Sequence, residues 1–431
     1  MKNLDNSREY QIKEIKEGNN KKYIYSFELK NPHIESFFDM KDEQINYYNS
    51  WQNKGIIENI SNFIKNKENI KISNGNLEIY FDDYNKEQIN LINESIRDFY
   101  EEKEMHITRM FGSYILLQKI KGELKAVEAT NIPIKYCPLM IKLLKEVSGD
   151  YASELIKSLE ENNQEQQKIN MCKLINETVI KSGYFDTNRP LNSCEANVLF
   201  GASETMFSAF KNNLIDAAVI VSNNLGTIIT TNEENTQGAV KRMTGLFYTT
   251  TSKNIIETAK KEGITPVYPY TGKIDQLEGV KEAIRMGYKK IAVSVAANDN
   301  YLHKELKELE KDGIEIYKFG LCSTGIKKQT AEIMKDNADV VWSCASKYVK
   351  ELIEPNAIAQ VGIKIPVHIM TERGWLIISN HLMEIYKDVD IKNLKLQKGE
   401  EKTIFLNEKG KIKTLKKQQL KKCIDCPNPC V

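Results

Sequence analysis

The 431-residue sequence lacks the short motifs that mark several large classes of enzyme. It contains no Gly-x-x-x-x-Gly-Lys-Ser/Thr loop, no Gly-x-Gly-x-x-Gly turn and no His-Glu-x-x-His pair. Each of these patterns places backbone amides or ligating side chains at a fixed spacing around a phosphate or a metal. Their absence argues against nucleotide hydrolysis through a P-loop and against zinc peptidase chemistry.

Charge of one sign and long apolar runs are missing as well. Lys and Arg number 61 against 59 Asp and Glu, a formal net charge of +2, so the chain has no marked attraction to nucleic acid or to a membrane surface. No run approaches the roughly 18 apolar residues of a membrane span, and the N-terminus lacks the apolar core of a signal peptide. We expect a cytoplasmic protein, with neither a membrane nor nucleic acid among its partners.

Histidine is scarce, with five residues, whereas cysteine, with eight, is the notable reactive residue type. In a reducing cytosol these cysteines are expected to be thiols, metal ligands or redox groups. Cys423, Cys426 and Cys430 place three thiols within eight residues, a pattern common at iron–sulfur and zinc sites. Cys137, held in an extended or turned segment by Pro138, is a candidate fourth ligand. We therefore predict an iron–sulfur cluster, with zinc or a thiol–disulfide switch as alternatives.

The order of the elements predicts three parts: an N-terminal α+β accessory module at 1–104, an α/β domain at 105–390, and a basic hairpin with a cysteine-rich tail at 391–431. Within the second part, apolar runs alternate with helical patterns. Strands are predicted at 217–221, 265–268, 290–295, 314–319, 339–343 and 365–370. Such alternation is typical of a doubly wound, mostly parallel sheet with right-handed crossovers.

In an open parallel sheet, ligands bind beyond the carboxyl ends of the strands. Polar or small residues follow nearly every predicted strand, so we expect a small molecule or a protein partner to bind there. The candidate rim residues are Ser222, Asn223, Asn224, Asp275, Cys322, Ser323, Thr324, Ser346, Lys347, Glu372 and Arg373.

Two cysteines are candidate catalytic residues. Ser193 is a suitable N-cap, which would place Cys194 in the first turn of a helix, where the helix dipole favours a thiolate. Cys344 follows the strand predicted at 339–343 and would share a rim with Cys322. Either residue could act as a nucleophile or bind a metal, and either could equally be an ordinary buried thiol. Whether the chain is an enzyme stays open.

Several separated blocks, in order along 105–390, resemble the methanogenesis marker protein 8 family of methanogenic archaea and some anaerobic bacteria. The blocks are 136–139, 201–204, 214–221, 226–232, 237–238, 273–280, 287–293, 343–347 and 360–362. The resemblance implies anaerobic one-carbon or redox metabolism, with a role in the assembly or reductive activation of a metallocofactor enzyme. The family has no established reaction, so it assigns no catalytic residue.

Three functions are compatible with these patterns. The leading hypothesis is an iron–sulfur or metal-binding accessory protein with a protein client or redox partner, and it requires a bound metal. The second is a small-molecule enzyme that uses Cys194 or Cys344, and it requires a thiol of low pKa. The third is a non-catalytic binding or regulatory module, which would form a stable complex through 1–104.

Overall fold

The structure, a computed structural model, describes residues 2–17, 20–30, 33–39, 41–64, 66–73, 75–134, 141, 144–145, 149–196, 198–241, 245–296, 302–362, 365–387, 391, 396, 401–408 and 411–416. These residues form three β-sheets with helices packed against them. Within these ranges, no helix has both the length and the apolar composition needed to cross a bilayer.

The N-terminal sheet is antiparallel and has five strands, β1 (Lys2–Asn6), β2 (Tyr10–Glu17), β3 (Asn20–Glu28), β4 (Ile70–Ser73) and β5 (Asn76–Phe81), in the order β1-β2-β3-β5-β4. Helices α1 (Asp42–Ile60) and α2 (Lys86–Glu102) share a core with it. The Asn85 side chain caps α2 by accepting hydrogen bonds from two backbone N–H groups. The apolar residues on one face of α2, among them Ile89, Ile92 and Ile96, are buried.

A second, four-stranded antiparallel sheet has the order β11-β6-β7-β8. Its strands are β6 (Met105–Met110), β7 (Ser113–Ile120), β8 (Glu123–Ala129) and, from much later in the chain, β11 (Gly245–Thr249). Strands β7 and β8 form an antiparallel hairpin. Helices α3 (Gly149–Glu160) and α4 (Gln164–Ile175) contribute to the core on one face of this sheet.

The third sheet contains β9 (Ala217–Ser222), β10 (Gly226–Thr230), β12 (Thr265–Pro266), β13 (Lys290–Ala296), β14 (Glu315–Leu321), β15 (Val340–Trp342), β16 (Ala359–Val361), β17 (Val367–Ile369), β18 (Thr403–Glu408) and β19 (Lys411–Lys416). Their spatial order is β12-β10-β9-β13-β14-β15-β17-β16-β18-β19. All six predicted strands are present. The predicted tail hairpin, β18 and β19, also forms, and it joins this large sheet through β16.

The large sheet is mixed. Strands β9, β13, β14 and β15 run parallel, whereas β10 is antiparallel to β9 and β17 is antiparallel to β15. A three-residue turn reverses the chain after β9, and it needs glycine at Gly226, where φ is 66° and a Cβ would lie 2.1 Å from the Gly272 carbonyl oxygen. The predicted α/β class is confirmed. The predicted doubly wound, mostly parallel arrangement is not confirmed, because short hairpin connections produce antiparallel neighbouring strands.

Helices cover both faces of the large sheet. Ala218 and Ile220 of β9 face α5 (Ala202–Lys211), α6 (Glu233–Lys241), α7 (Lys253–Lys261) and α11 (Glu372–Ile385). Ala217 and Val219 face the opposite side, which carries α8 (Gln276–Arg285), α9 (Leu302–Glu308) and α10 (Lys328–Asn337). This alternation explains why the strand reads as an uninterrupted apolar run.

The carboxyl rim is defined here as the end of the large sheet at which β9, β13, β14 and β15 finish. The four-stranded sheet packs over it. Arg109 of β6 donates hydrogen bonds to the carbonyl oxygens of Cys322, at 3.0 Å, and Thr324, at 2.6 Å. Asn224 Nδ2 donates to Glu104 Oε1 at 2.9 Å. The rim is therefore shaped by residues from two sheets.

Candidate functional site at the carboxyl rim

Most of the predicted rim residues lie at the carboxyl rim. Residues 222–224 follow β9, 322–324 follow β14, and Cys344, Ser346 and Lys347 follow β15. Asp275 reaches the same rim, because its backbone N–H donates to Thr227 Oγ1 at the start of β10, at 2.7 Å. The apolar runs in the sequence thus predicted correctly where these strands end.

Glu372 and Arg373 do not lie there, and their predicted placement is wrong. Because β17 is antiparallel to β15, its last residue, Ile369, pairs with Val340 at the amino end of β15. Arg373 accordingly donates to the carbonyl oxygen of Ile316, at 2.9 Å, and pairs with the carboxylate of Glu310. The two residues belong to the opposite end of the sheet.

The turn after β9 is enclosed by protein. Ser222, Asn223 and Asn224 are each at most 1% exposed. Arg189, itself buried, donates to the Asn223 carbonyl oxygen and, at 3.3 Å, to Ser222 Oγ. Asn224 adopts a left-handed conformation with φ of 61°. These polar groups bind neighbouring residues of the same chain, so this part of the rim presents no open surface to a ligand.

A buried acid–histidine–hydroxyl chain lies beside that turn. His106 Nδ1 is 2.7 Å from Thr249 Oγ1, and His106 Nε2 is 3.1 Å from Glu104 Oε1. Burial lowers the pKa of His106, although its hydrogen bond to Glu104 acts in the opposite direction. Burial would raise the pKa of Glu104, but hydrogen bonding to His106 and the charge of Lys119 hold it below its ordinary value. The imidazole of His106 is therefore neutral, and the carboxylate of Glu104 is ionised.

This order of groups is the one by which an imidazole activates a hydroxyl nucleophile. Here, however, Thr249 is fully buried, and its Oγ1 accepts a hydrogen bond from the Asn224 backbone N–H at 2.9 Å. The chain of groups ties the second sheet to the turn after β9. Sequence reasoning missed it because His106 and Thr249 are 143 positions apart and no local motif links them.

The other part of the rim carries two thiols. Cys322 comes one residue after β14 and Cys344 two residues after β15, and these strands are parallel neighbours. Ser323 lies between them, because its Oγ donates to the Trp342 carbonyl oxygen at 2.8 Å and accepts from the Cys344 backbone N–H at 2.9 Å. Cys344 is exposed and Cys322 is half-buried. The predicted sharing of one rim by the two cysteines is therefore present in the fold.

The surroundings keep both thiols protonated at neutral pH. Burial raises the pKa of Cys322 to about 11, and the neighbouring Cys344 adds to the effect. Desolvation by the surrounding protein also raises the pKa of the Cys344 thiol, although hydrogen bonds from Thr324 and Ser323 and the charge of Arg109 favour its thiolate. Cys322 has a left-handed backbone with φ of 54°, an uncommon and strained conformation for a cysteine.

Cys194 does not begin a helix, and that prediction is wrong. Residues 192–196 are irregular and α5 begins only at Ala202. Cys194 is exposed, and its Sγ lies 3.3 Å from Glu234 Oε1. The hydrogen bond to the Glu234 carboxylate raises the pKa of the thiol. The local charge is thus opposite to the one that the helix dipole would have supplied.

The predicted metal ligands Cys137, Cys423, Cys426 and Cys430 lie outside the described residues. Among the residues that the structure describes, no group of three or more His, Cys, Asp or Glu side chains is arranged to hold a metal ion. The tail cysteines therefore remain a prediction from sequence spacing.

A cavity of about 640 Å³ lies where the N-terminal sheet meets the rest of the chain. Two buried ionisable residues, Glu9 and Lys30, line it, together with Tyr248 and Thr271. Burial raises the pKa of Glu9 to about 7, against hydrogen bonds from Thr271 that favour the carboxylate. Burial lowers the pKa of Lys30, against the nearby charge of Glu9. No feature of the N-terminal sequence had marked either residue.

One match among solved structures is weak. A chain of the F420-reducing [NiFe] hydrogenase complex from Methanosarcina barkeri is 14% identical, with a TM-score of 0.26, and the match covers 52% of this chain and 77% of that one. A TM-score this low carries no argument about fold or function.

Sequence comparison is informative. The uncharacterized protein MJ0054 of Methanocaldococcus jannaschii is 37% identical over 268 residues, which are 62% of this chain and 86% of the relative. Residues 106–383 match the model of DUF2099, described as an uncharacterized protein family conserved in archaea. This segment falls within 105–390, where the sequence resemblance lies, and it contains the second sheet, the carboxyl rim and both rim thiols. The chain belongs to this archaeal family.

Proposed function

We propose that the chain is a thiol-dependent accessory protein in which Cys322 and Cys344 act as a reducing dithiol toward a client protein. The observation that carries the proposal is the meeting of these two cysteines at one rim, one of them exposed, after adjacent parallel strands. Neighbouring strands lie about 4.8 Å apart, which is compatible with the Cα separation that a disulfide requires.

The reaction is an exchange between two thiols and a client disulfide. The Cys344 sulfur attacks the client disulfide, a mixed disulfide forms, and the first client sulfur leaves with the proton from Cys344. Cys322 then attacks the Cys344 sulfur, which closes the intramolecular disulfide and releases the second client thiol with the proton from Cys322. Two electrons pass to the client, and no other reactant is needed.

The raised thiol pKa values support a reducing pair. A dithiol is a strong oxidant when the protein stabilises its thiolate form, as this makes the reduced state favourable. Here desolvation disfavours the thiolate at both cysteines. The reduced state lacks that stabilisation, so the pair should release electrons readily. Raised thiol pKa values also argue against the alternative, an enzyme that uses a nucleophilic cysteine of low pKa.

The metabolic setting rests on the resemblance to the methanogenesis marker protein 8 family. On that basis we place the protein in the cytoplasm, in anaerobic one-carbon or redox metabolism, with a metallocofactor enzyme as the client of assembly or reductive activation. Cys423, Cys426 and Cys430 would hold an iron–sulfur cluster or zinc, with Cys137 as a possible fourth ligand by sequence.

The decisive experiment is an anaerobic redox titration of the full chain. The protein is equilibrated in dithiothreitol buffers, its thiols are alkylated, and peptides that contain Cys322 and Cys344 are quantified by mass spectrometry. We expect an intramolecular disulfide with a midpoint at or below about −270 mV, the value typical of thioredoxin. Failure to form this disulfide under oxidising conditions, or a midpoint near that of strong oxidants, would overturn the proposal.

Two variants sharpen the test. Cys322→Ser should leave Cys344 able to form mixed disulfides but unable to resolve them, so adducts with a model disulfide should accumulate. Cys172→Ser is the matched control, because Cys172 is a partly buried thiol that packs in the core of the second sheet. The control should leave the titration unchanged. Metal analysis of a Cys423, Cys426 and Cys430 triple serine variant tests the tail separately.

A further inference from the structure

Three backbone carbonyl oxygens converge on the amine of Lys30. Lys30 Nζ donates to the carbonyl oxygens of Thr249, of Thr271 at 3.2 Å and of Gly272 at 3.0 Å. One carbonyl ends β11 and the other two belong to the loop before α8. We call these three oxygens the carbonyl cage. Three acceptors around one nitrogen match the three N–H groups of an ammonium ion.

Two further groups favour a cation in the cage. The ring of Tyr248 lies 4.0 Å from Lys30 Nζ, the arrangement of a cation–π contact. The Glu9 carboxylate is held close by Thr271, whose backbone N–H and hydroxyl donate to Glu9 Oε1 at 2.9 and 2.6 Å. Three carbonyl oxygens and an aromatic face thus contact the amine, and the Glu9 carboxylate lies near enough for its charge to act on Lys30.

The cage and its occupant come from different parts of the chain. The three carbonyl oxygens belong to the family segment 106–383, whereas Lys30 lies ahead of it, just beyond β3. The cavity of about 640 Å³ borders Lys30, Tyr248 and Thr271, and so lies next to the cage.

We propose that the carbonyl cage is a binding site for a small ammonium-type cation, NH₄⁺ or a primary alkylammonium, and that Lys30 fills it as a tethered occupant. The N-terminal module thereby places its own amine in a site built by the family domain. This inference is independent of the rim dithiol.

Removal of the tethered amine should open the site to free cations. The urea midpoint of Lys30→Ala is measured in sodium, choline, ammonium and methylammonium chloride at equal ionic strength. We expect a lowered midpoint in sodium and choline, and a recovery in ammonium and methylammonium that grows with the logarithm of their concentration, as for a ligand that binds only the folded state. Wild type should not distinguish the four salts.

Two control variants make the result specific. Lys273→Ala removes another amine from the same cavity, one that pairs with Glu28 at 3.1 Å and lies outside the cage, so it should show no preference for ammonium. Lys30→Met keeps the apolar stem and fills the cage with a methyl group, so it should fold without a cation preference. The proposal is overturned if Lys30→Ala responds to the four salts as wild type does, or folds in none of them.

Discussion

His303 is a buried histidine on the inner face of α9 and is 1% exposed. Among the residues that the structure describes, neither of its ring nitrogens has a hydrogen-bond partner. A Cβ on Gly320 of β14 would lie only 3.5 Å from His303 Nε2, which shows how closely the strand approaches. Burial, aided by the charge of Lys318, lowers the pKa of His303 to about 3. The ring is therefore neutral in the folded protein across the physiological range.

This shift makes stability depend on pH in a defined direction. The unfolded chain binds a proton at this residue below pH of about 6.5, whereas the folded chain does not until about pH 3. Stability is thus fully present above about pH 6.5 and is lost as the pH falls toward 3. By linkage, His303 lowers the free energy of unfolding by about 2 kcal/mol at pH 5, and by about 4 kcal/mol near pH 3.

The informative perturbation is His303→Phe, which replaces the imidazole by an apolar ring. At pH 7.5 this variant should be as stable as wild type or slightly more stable, because it removes two buried polar atoms that bind nothing. At pH 5 its advantage over wild type should grow by about 2 kcal/mol, because the variant has no proton to take up on unfolding.

The assay is urea denaturation at pH 7.5, 6.5 and 5.0 at constant ionic strength. His33→Gln is the matched control, because the His33 side chain is 65% exposed. That control should keep the wild-type dependence on pH. If His303→Phe loses stability between pH 7.5 and 5 as steeply as wild type, then a neutral, buried His303 is not the cause and the reasoning fails.

Two further substitutions test the sheet itself, each by a urea midpoint. Gly226→Ala should lower the free energy of unfolding by more than about 3 kcal/mol, because the methyl group would meet a backbone oxygen at positive φ. Gly263→Ala, at φ of 78° with no atom within 4 Å, should lower it by about 1 kcal/mol. Equal losses of stability would contradict the steric argument. Lys318→Met should cost about 3–5 kcal/mol, because it leaves the buried Asp339, 3.3 Å away, without its cation. Lys347→Ala, which removes an exposed ion pair, should stay within about 0.5 kcal/mol, and a similar loss in both would refute the role of burial.

The strands could be located from the sequence because burial on both faces leaves a continuous apolar run. Ala217–Ser222 and its parallel neighbours are recognisable in this way. The direction of a strand produces no comparable pattern in the sequence. β17 is as fully buried as β15, yet it runs the other way, and Arg373 therefore lies at the far end of the sheet. Direction depends on the length of the connecting loops and on neighbours that no local pattern encodes.

The candidate site was predictable only where one segment carries its own signal. Cys322 and Cys344 each follow an apolar strand, so their shared rim could be inferred from local sequence. Cys194 was misplaced because an N-cap serine does not by itself start a helix, and the residues after it are irregular. Contacts across long stretches, such as His106 with Thr249, arise from the packing of two sheets and have no local signature.

The packing of the second sheet decides which part of the carboxyl rim can act on another molecule. Over β9 the second sheet buries Asn224 against Glu104 and Thr249. The polar groups of that turn therefore form hydrogen bonds within the chain. Over β14 and β15, Arg109 reaches across and donates hydrogen bonds to main-chain carbonyl oxygens, and Cys344 stays exposed. The covering sheet thus closes one half of the rim and positions the other. A client protein that approaches this edge of the family domain would meet a thiol first, and for that reason we assign the chemistry to the cysteine half.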